Sequence, residues 1–261
     1  MKMIEIQQHI YLKKIHFDLI DTHMKIALIQ PDYPEVWVNL SWNLGWNVSA
    51  QWNSPEMKYK WIRHAIGFLK VGIRKNPRSV AMLAQMGDIY HHKLGQAGES
   101  VYYREWVRRD EGRSTFQIAY EWYDRARKVS HRYDMPHPHF SAAVLNSLAC
   151  HAVSSYAREL TQQMYDAFAD AARLNNEGEA EGAKLRFGDG RDFLAKAIDT
   201  WSWAEREWKS QVLEFPSPSL PHGKFVTEAN QMHEQLSRLS EGVSLEQLPE
   251  LLQEIERPTL R

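Results

Sequence analysis

Histidine is the residue type in this 261-residue chain most suited to chemistry, because a neutral imidazole binds metals readily. The twelve histidines are densest at His91 and His92 and in the segment from His131 to His139. A zinc site needs three or four ligands in a fixed geometry, and Cys150 is the single thiol. A di-iron bundle needs Glu-x-x-His pairs, and the sequence has none. We therefore predict no metal and no cofactor, and the His131 to His139 turn is the place where a metal would fit best.

Nucleophilic and nucleotide-binding sites receive no better support. Cys150 lies in the apolar run 142–153, where a thiol behaves as a small hydrophobe, and His151 points to another side of a helix. The chain has neither a Gly-x-Ser-x-Gly elbow nor a Gly-x4-Gly-Lys-Ser/Thr loop. Gly188 and Gly190 follow no strand, so we expect them to interrupt a helix or form a turn. These observations predict that the protein is not an enzyme.

Aromatic side chains indicate binding rather than catalysis. The chain has ten tryptophans, and protein interfaces concentrate aromatic and arginine side chains. Two segments carry such clusters, and the alternative is that their rings fold back to cover their own helices. The residues that we expect to contact a partner are Trp46, Trp52, Tyr102, Tyr103, Arg104 and Trp106.

Charge and composition limit the kind of partner. The 32 basic and 33 acidic residues balance, so no overall field attracts nucleic acid or anionic lipid. The densest basic stretch, Arg104 to Arg132, is interleaved with acidic residues, as on a solvated helix face. A single cysteine permits no internal disulfide, and no apolar run is long enough for a membrane span. We predict a cytoplasmic protein that binds a protein or peptide and no nucleic acid.

Apolar residues recur every three or four positions, which predicts an all-α fold. Proline and serine mark several helix starts, and the longest helix, from Phe140 to Leu174, should measure about 50 Å. Pro216 to Pro221 has the composition of an extended linker. The predicted organisation is a helical domain at 1–212, a Pro/Ser linker at 213–224 and capping helices at 225–261. The other predicted helices are Ile6–Leu28, one opening at Pro34, one capped by Ser54-Pro55, a short accessory helix at Val101–Arg109, and Thr115–Val129 with Ser114 as its cap.

The positions of small and large apolar residues on these helices repeat along the chain. A first helix with Trp37 and Leu40 and a second with Ala65, Leu69, Gly72 and Pro77 are followed by a similar pair. The second pair carries Leu83, Met86, Gly87 and Tyr90, then Ala119, Tyr123 and Ala126. This spacing resembles the tetratricopeptide family, in which antiparallel helix pairs stack. The turns from Trp46 to Met57 and from Gly95 to Ser114 are longer than the family pattern, by about twelve and about twenty residues.

The resemblance also carries functional implications. The segments Pro31–Trp37 and Gly72–Pro77 look like parts of helical-repeat proteins of planctomycete-type bacteria. Membership of that family implies an interaction scaffold with no chemistry of its own. Such relatives often have an N-terminal membrane segment, which this sequence does not show, so association with a membrane-bound partner is left open.

Two alternatives to this interpretation also follow from the sequence. The fold alternative is a helical bundle without repeats. The functional alternative is a helical enzyme or metal-binding protein, with a pocket between the Phe140–Leu174 helix and a face formed by Trp201, Trp203 and Trp208.

Overall fold

Helices form most of the described chain. The computed structural model describes residues 24–133, 139–216 and 222–254, together with Asp18, Asp21 and Thr22. No strand occurs within these residues, and the all-α prediction is confirmed. The chain divides into two units, Met1–Ala149 and Cys150–Arg261. In chain order the elements are α1 (Pro34–Trp42), π1 (Asn43–Val48), α2 (Pro55–Lys75), α3 (Val80–Asp88), π2 (Ile89–Leu94), α4 (Ser100–Glu111), α5 (Thr115–Tyr133), α6 (Ala142–Asn176), α7 (Ala180–Glu214), α8 (His222–Gly242) and α9 (Leu248–Glu254).

Local capping chemistry explains where these helices begin. Pro34 and Pro55 occupy the first turns of α1 and α2, where the missing N–H leaves no bond unmade. The Ser54 hydroxyl accepts a hydrogen bond from the Met57 amide at 3.2 Å. The Ser114 hydroxyl caps α5 in the same way, accepting from the Phe116 amide at 3.2 Å. The predicted starts of these three helices are confirmed.

Two π-helical segments extend helices of the first unit. π1 continues α1 directly, and π2 continues α3 directly. The segment Trp46–Met57 was expected to be a long turn, but helix continues to residue 50 and only 51–54 form the connection. This expectation was wrong because a π-helical segment uses the same residue types as an ordinary helix, so the sequence does not show where one extends α1. The second long connection contains α4, which confirms the predicted accessory helix.

Glycine allows the helices of the first unit to pair closely. A Cβ on Gly72 of α2 would lie 2.6 Å from Cγ of Trp37 on α1, and one on Gly87 of α3 would lie 2.6 Å from the Tyr123 ring on α5. The Trp37 indole N–H and the side-chain amide of Asn76 both donate to the carbonyl oxygen of Pro31, at 2.9 and 2.8 Å. Two packed helix pairs result, α1 with α2 and α3 with α5.

The helices of the second unit, which holds α7 and all of α6 after Ala149, are longer and more regular. α6 and α7 each have 35 residues, so α6 has the length predicted for it, about 52 Å. α7 passes through Gly188 and Gly190 without interruption, so the predicted break or turn there is wrong. Gly190 is needed for another reason, because a Cβ at that position would lie 2.3 Å from a ring carbon of Phe168 on α6.

Some predictions fall partly outside the described residues. Of the helix predicted at Ile6–Leu28, only its end is described, and residues 24–29 are helical. Residues 134–138 of the His131 to His139 turn and 217–221 of the predicted linker also lie outside. On either side of the latter, α7 ends at Glu214 and α8 begins at His222. Among the described helices, none combines the length and the apolar character that a membrane crossing requires.

Candidate partner-binding surface

The helix α4, inserted between α3 and α5, has one buried and one exposed face. Its buried face carries Ser100, Tyr103 and Val107, spaced three and four residues apart. These residues face inward where α4 contacts α2, π2 and α5. On the opposite face, Val101 is 66% exposed and Tyr102 is 52% exposed. α4 therefore presents apolar side chains to solvent from a helix that is packed on three others.

A continuous group of aromatic rings connects the interior to this exposed face. The Tyr59 ring of α2 stacks on the buried Tyr103 ring with centroids 6.0 Å apart. Trp106 lies 5.2 Å from Tyr59 and stacks on the exposed Tyr102 at 5.9 Å. Because each ring is in contact with the next, Tyr102 is held in place by packing rather than left free to rotate.

Polar contacts fix both ends of α4. At its start, Lys58 of α2 forms an ion pair with Glu99. At its end, the Tyr59 hydroxyl donates to Asp110 at 2.9 Å. Glu111 accepts from the Tyr90 hydroxyl of π2 at 2.7 Å and from the Arg63 guanidinium. α4 is thus joined to α2 and π2 by charge-assisted hydrogen bonds, which are stronger than neutral ones.

The protonation states agree with these contacts. Burial raises the pKa of Tyr59 and of Tyr90, so both phenols stay protonated and act as donors. The hydrogen bond from Lys58 lowers the pKa of Glu99, and the hydrogen bond from Arg109 lowers the pKa of Asp110. Both carboxylates are therefore ionised at neutral pH, as the contacts with Lys58 and Tyr59 require.

A second group of aromatic residues lies at the end of α1, on π1, in the connection that follows and near the start of α2. Trp42 stacks on Trp46 with centroids 6.3 Å apart, and Trp52 stacks on Trp61 at 6.4 Å. π1 contacts π2, which in turn contacts α4. We use the name aromatic surface for exposed Val101 together with five exposed or half-buried rings of these two groups: Trp42, Trp46, Trp52, Tyr102 and Trp106.

The six residues predicted to contact a partner have different environments. Tyr102 is exposed, and Trp46, Trp52 and Trp106 are half-buried. Tyr103 is completely buried, so it supports the surface from below, in line with the alternative that the rings cover their own helices. The Arg104 guanidinium donates to the Gly95 carbonyl at 2.7 Å and to Ser100 at 3.0 Å, which holds the turn before α4.

Two exposed members of the aromatic surface, Trp42 and Val101, were not among the predicted residues. The four-residue spacing of Trp42 and Trp46 places both rings on one side of a helix and would have identified the first. Val101 precedes the pair Tyr102-Tyr103, and only the helical phase of α4 shows that it faces solvent.

Two tryptophans of the proposed alternative site bind directly to α6. The Trp201 indole donates to Thr161 at 3.0 Å, and the Trp208 indole donates to Ser154 at 2.9 Å. Both tryptophans are buried, whereas Trp203 is half-buried and faces Glu207. Within the described ranges, no three His, Cys, Asp or Glu side chains are grouped to hold a metal ion.

Comparisons of the chain with models of protein families, with curated proteins and with solved structures gave no match. Its function is therefore inferred from its own residues and contacts.

Proposed function

We propose that this protein is a non-catalytic, tetratricopeptide-like scaffold of the cytoplasm that binds a protein or peptide partner through the aromatic surface. The observation that carries the proposal is the exposure of Val101 and Tyr102 on a helix anchored by Tyr59, Arg63 and Lys58. An apolar patch on a folded surface marks an interaction site more often than a scattered single residue does.

The contacts between helices of the first unit support the scaffold part of the proposal. α1 contacts α2 and α3, α2 contacts α3, and α3 contacts α5. A stack of helix pairs needs this order, because each new pair buries an apolar face of the pair before it. Gly72 lies where α1 and α2 approach each other closely, and Gly87 lies at the corresponding place between α3 and α5. The relationship to planctomycete-type proteins stays a prediction from the sequence.

The anchoring of the aromatic surface favours tight binding. Binding is usually weakened when flexible side chains become ordered at the interface, by about 0.5–1.5 kcal/mol for each side chain. Tyr102 and Trp106 are already stacked on each other, and Trp42 is already stacked on Trp46. A partner that covers these rings therefore gains apolar burial at a small entropic cost. The same surface serves for a soluble partner or for one anchored in a membrane.

A site-specific cross-linking experiment tests this proposal. A photoreactive phenylalanine analogue replaces Tyr102, and a matched control variant carries it at Leu213, which is 81% exposed on α7 of the second unit. After irradiation in the native cell, we expect a discrete cross-linked partner from position 102 and none from position 213. Tyr102→Ala should then weaken binding of that purified partner by about tenfold or more, since exposed aromatic anchors dominate interfaces.

Two results would contradict the proposal. One is cross-linking from position 102 to many proteins at random, at the level seen from position 213. The other is a purified partner that binds Tyr102→Ala and the unchanged protein equally well. Thermal unfolding controls for structure: the Tyr102→Ala variant loses the stacking on Trp106, worth about 0.5–1.5 kcal/mol, and should still unfold in one cooperative transition.

A further inference from the structure

A second surface of the first unit lies at the opposite end of the α3–α5 pair from α4. The two helices are antiparallel, since Gly95 lies beside Phe116 whereas Gly87 lies beside Tyr123. At the far end, the turn between α2 and α3 and the second half of α5 line an open groove with a volume of about 530 Å³. This volume lies within the range of known ligand-binding clefts.

The groove is strongly basic, although the whole chain is not. Arg78 lies on one side, and Arg125, Lys128 and Arg132 lie on the other, all with exposed side chains. Among the described residues of the lining, Asp124 is the only carboxylate. Its oxygens accept from Lys128 at 2.5 Å and from Arg127 at 2.8 Å, so it offsets part of the charge of these two cations and leaves the lining with a net positive charge.

Helix stability alone does not account for this arrangement of cations. Basic residues in the last turn of a helix interact favourably with its dipole, and Arg132 is in such a position. Arg125, however, is two turns from the end of α5, and its guanidinium lies over the Trp122 ring at 5.4 Å. Arg78 belongs to another segment altogether. These cations converge on one groove from two parts of the chain.

The lining favours an acidic peptide over other anions. Arginine side chains bind carboxylates through paired N–H donors, and four cations suit a ligand with several carboxylates. Pro77 and Val129 supply apolar contacts that a peptide can use and a simple inorganic anion cannot. Nucleic acid is disfavoured because its binding needs an extended positive field, and the 32 basic and 33 acidic residues of this chain provide none.

We propose that the groove between the α2–α3 turn and the end of α5 binds an acidic peptide segment of a partner protein, held by Arg78, Arg125 and Lys128. This site is separate from the aromatic surface, and either proposal can fail without the other.

Fluorescence anisotropy with a labelled oligo-glutamate peptide tests this inference on the full chain. We expect saturable binding that weakens with added salt, because the contacts are ionic and exposed. The variant Arg125→Glu/Lys128→Glu should bind at least about tenfold more weakly. Arg78→Glu, on the other side of the groove, should weaken binding without changing α5.

The second unit offers a matched control. Arg206 and Lys209 of α7 are exposed, have the same three-residue spacing, and Lys209 pairs with Glu205 as Lys128 pairs with Asp124. Arg206→Glu/Lys209→Glu therefore makes the same change of charge elsewhere, and it should reduce binding less than about twofold. Tyr102→Ala should leave binding of the oligo-glutamate unchanged.

Several outcomes would overturn the inference. The first is that the oligo-glutamate peptide shows no saturable binding. The second is that the groove variant and the α7 variant lose equal affinity for it. The third is that an oligo-glutamine peptide of the same length binds as tightly. Tighter binding of a single-stranded DNA oligonucleotide, lost in the same groove variants, would instead identify a nucleic-acid site. Circular dichroism and thermal unfolding of each variant distinguish lost binding from lost structure.

Discussion

The two units use their large aromatic side chains in opposite ways. In the second unit, Trp201 and Trp208 are completely buried, and their indole N–H groups donate to Thr161 and Ser154 on the facing helix. In the first unit, the aromatic group on α4 extends from buried Tyr103 to exposed Tyr102. The difference shows that aromatic content alone does not mark a binding surface. A buried indole N–H needs an acceptor, which is a hydroxyl group on the facing helix for Trp201 and Trp208 and the Pro31 carbonyl for buried Trp37 of the first unit.

The helices differ between the units as well. α6 and α7 run for 35 residues each without a π-helical segment, whereas α1 and α3 each end in one. A π-helical segment shifts the phase of the residues that follow, and such segments are frequent at functional sites. In the first unit they bring π1 and π2 into contact next to α4. Both π-helical segments are themselves largely buried, so they form the support on which α4 is placed rather than the exposed face.

Two glycines of α7 test how tightly the second unit is packed. Gly190→Ala places a Cβ 2.3 Å from the buried Phe168 ring, so we expect a loss of about 1–3 kcal/mol in the free energy of unfolding. Gly188→Ala meets no atom within 4 Å, and it should increase stability by up to about 1 kcal/mol. Urea unfolding of both variants measures the difference, and equal effects would show that α6 and α7 are not in close contact there.

Two tyrosines test the anchoring of α4 in the first unit. Tyr90→Phe removes the donor to Glu111, and we expect a loss of about 1–2 kcal/mol. The Tyr103 hydroxyl is buried and has no hydrogen-bond partner among the described residues. Tyr103→Phe should therefore be neutral or stabilising by about 1 kcal/mol. Unfolding by urea again distinguishes them, and a similar loss from both would indicate that the Glu111 contact does not anchor α4.

The sequence was sufficient where structure depends on near neighbours. Ser54, Ser114 and the prolines at 34 and 55 act within one turn, so the helix starts were predictable. The role of Gly190 was not, because it depends on Phe168, 22 positions earlier in the chain. The π-helical segments were missed because their residues also suit an ordinary helix.

The candidate surface shows the same limit. The sequence located the two aromatic segments, but it gave Tyr102 and Tyr103 the same role. Which of the two is buried depends on the side of α4 that faces Tyr59. That side carries Ser100, Tyr103 and Val107, and their spacing identifies it only when the start of α4 is known. The basic groove was missed for a related reason, since Arg78 and Arg125 are distant in sequence and the surrounding stretch contains many acidic residues.

The smallest expected effect concerns pH and the ion pair between Lys58 and Glu99 at the start of α4. Lys58 lowers the pKa of Glu99 below its ordinary value of 4.5 in the folded protein. A carboxylate with a lowered pKa stabilises the fold fully above its unfolded pKa, and this stabilisation is lost as the pH falls through the folded value. Because both side chains are partly exposed, the pair should contribute only about 0.5 kcal/mol at neutral pH.

A double-mutant cycle with Lys58→Met and Glu99→Gln isolates this contribution from the titration of other carboxylates. The coupling free energy should be about 0.5 kcal/mol at neutral pH and should vanish once the pH falls below the lowered pKa of Glu99, where its carboxyl group is protonated. A coupling of the same size at both pH values would show that the two side chains interact through packing rather than charge. In that case the start of α4 would be held by packing of the Lys58 stem, and only the contacts of Asp110 and Glu111 at its end would be polar anchors.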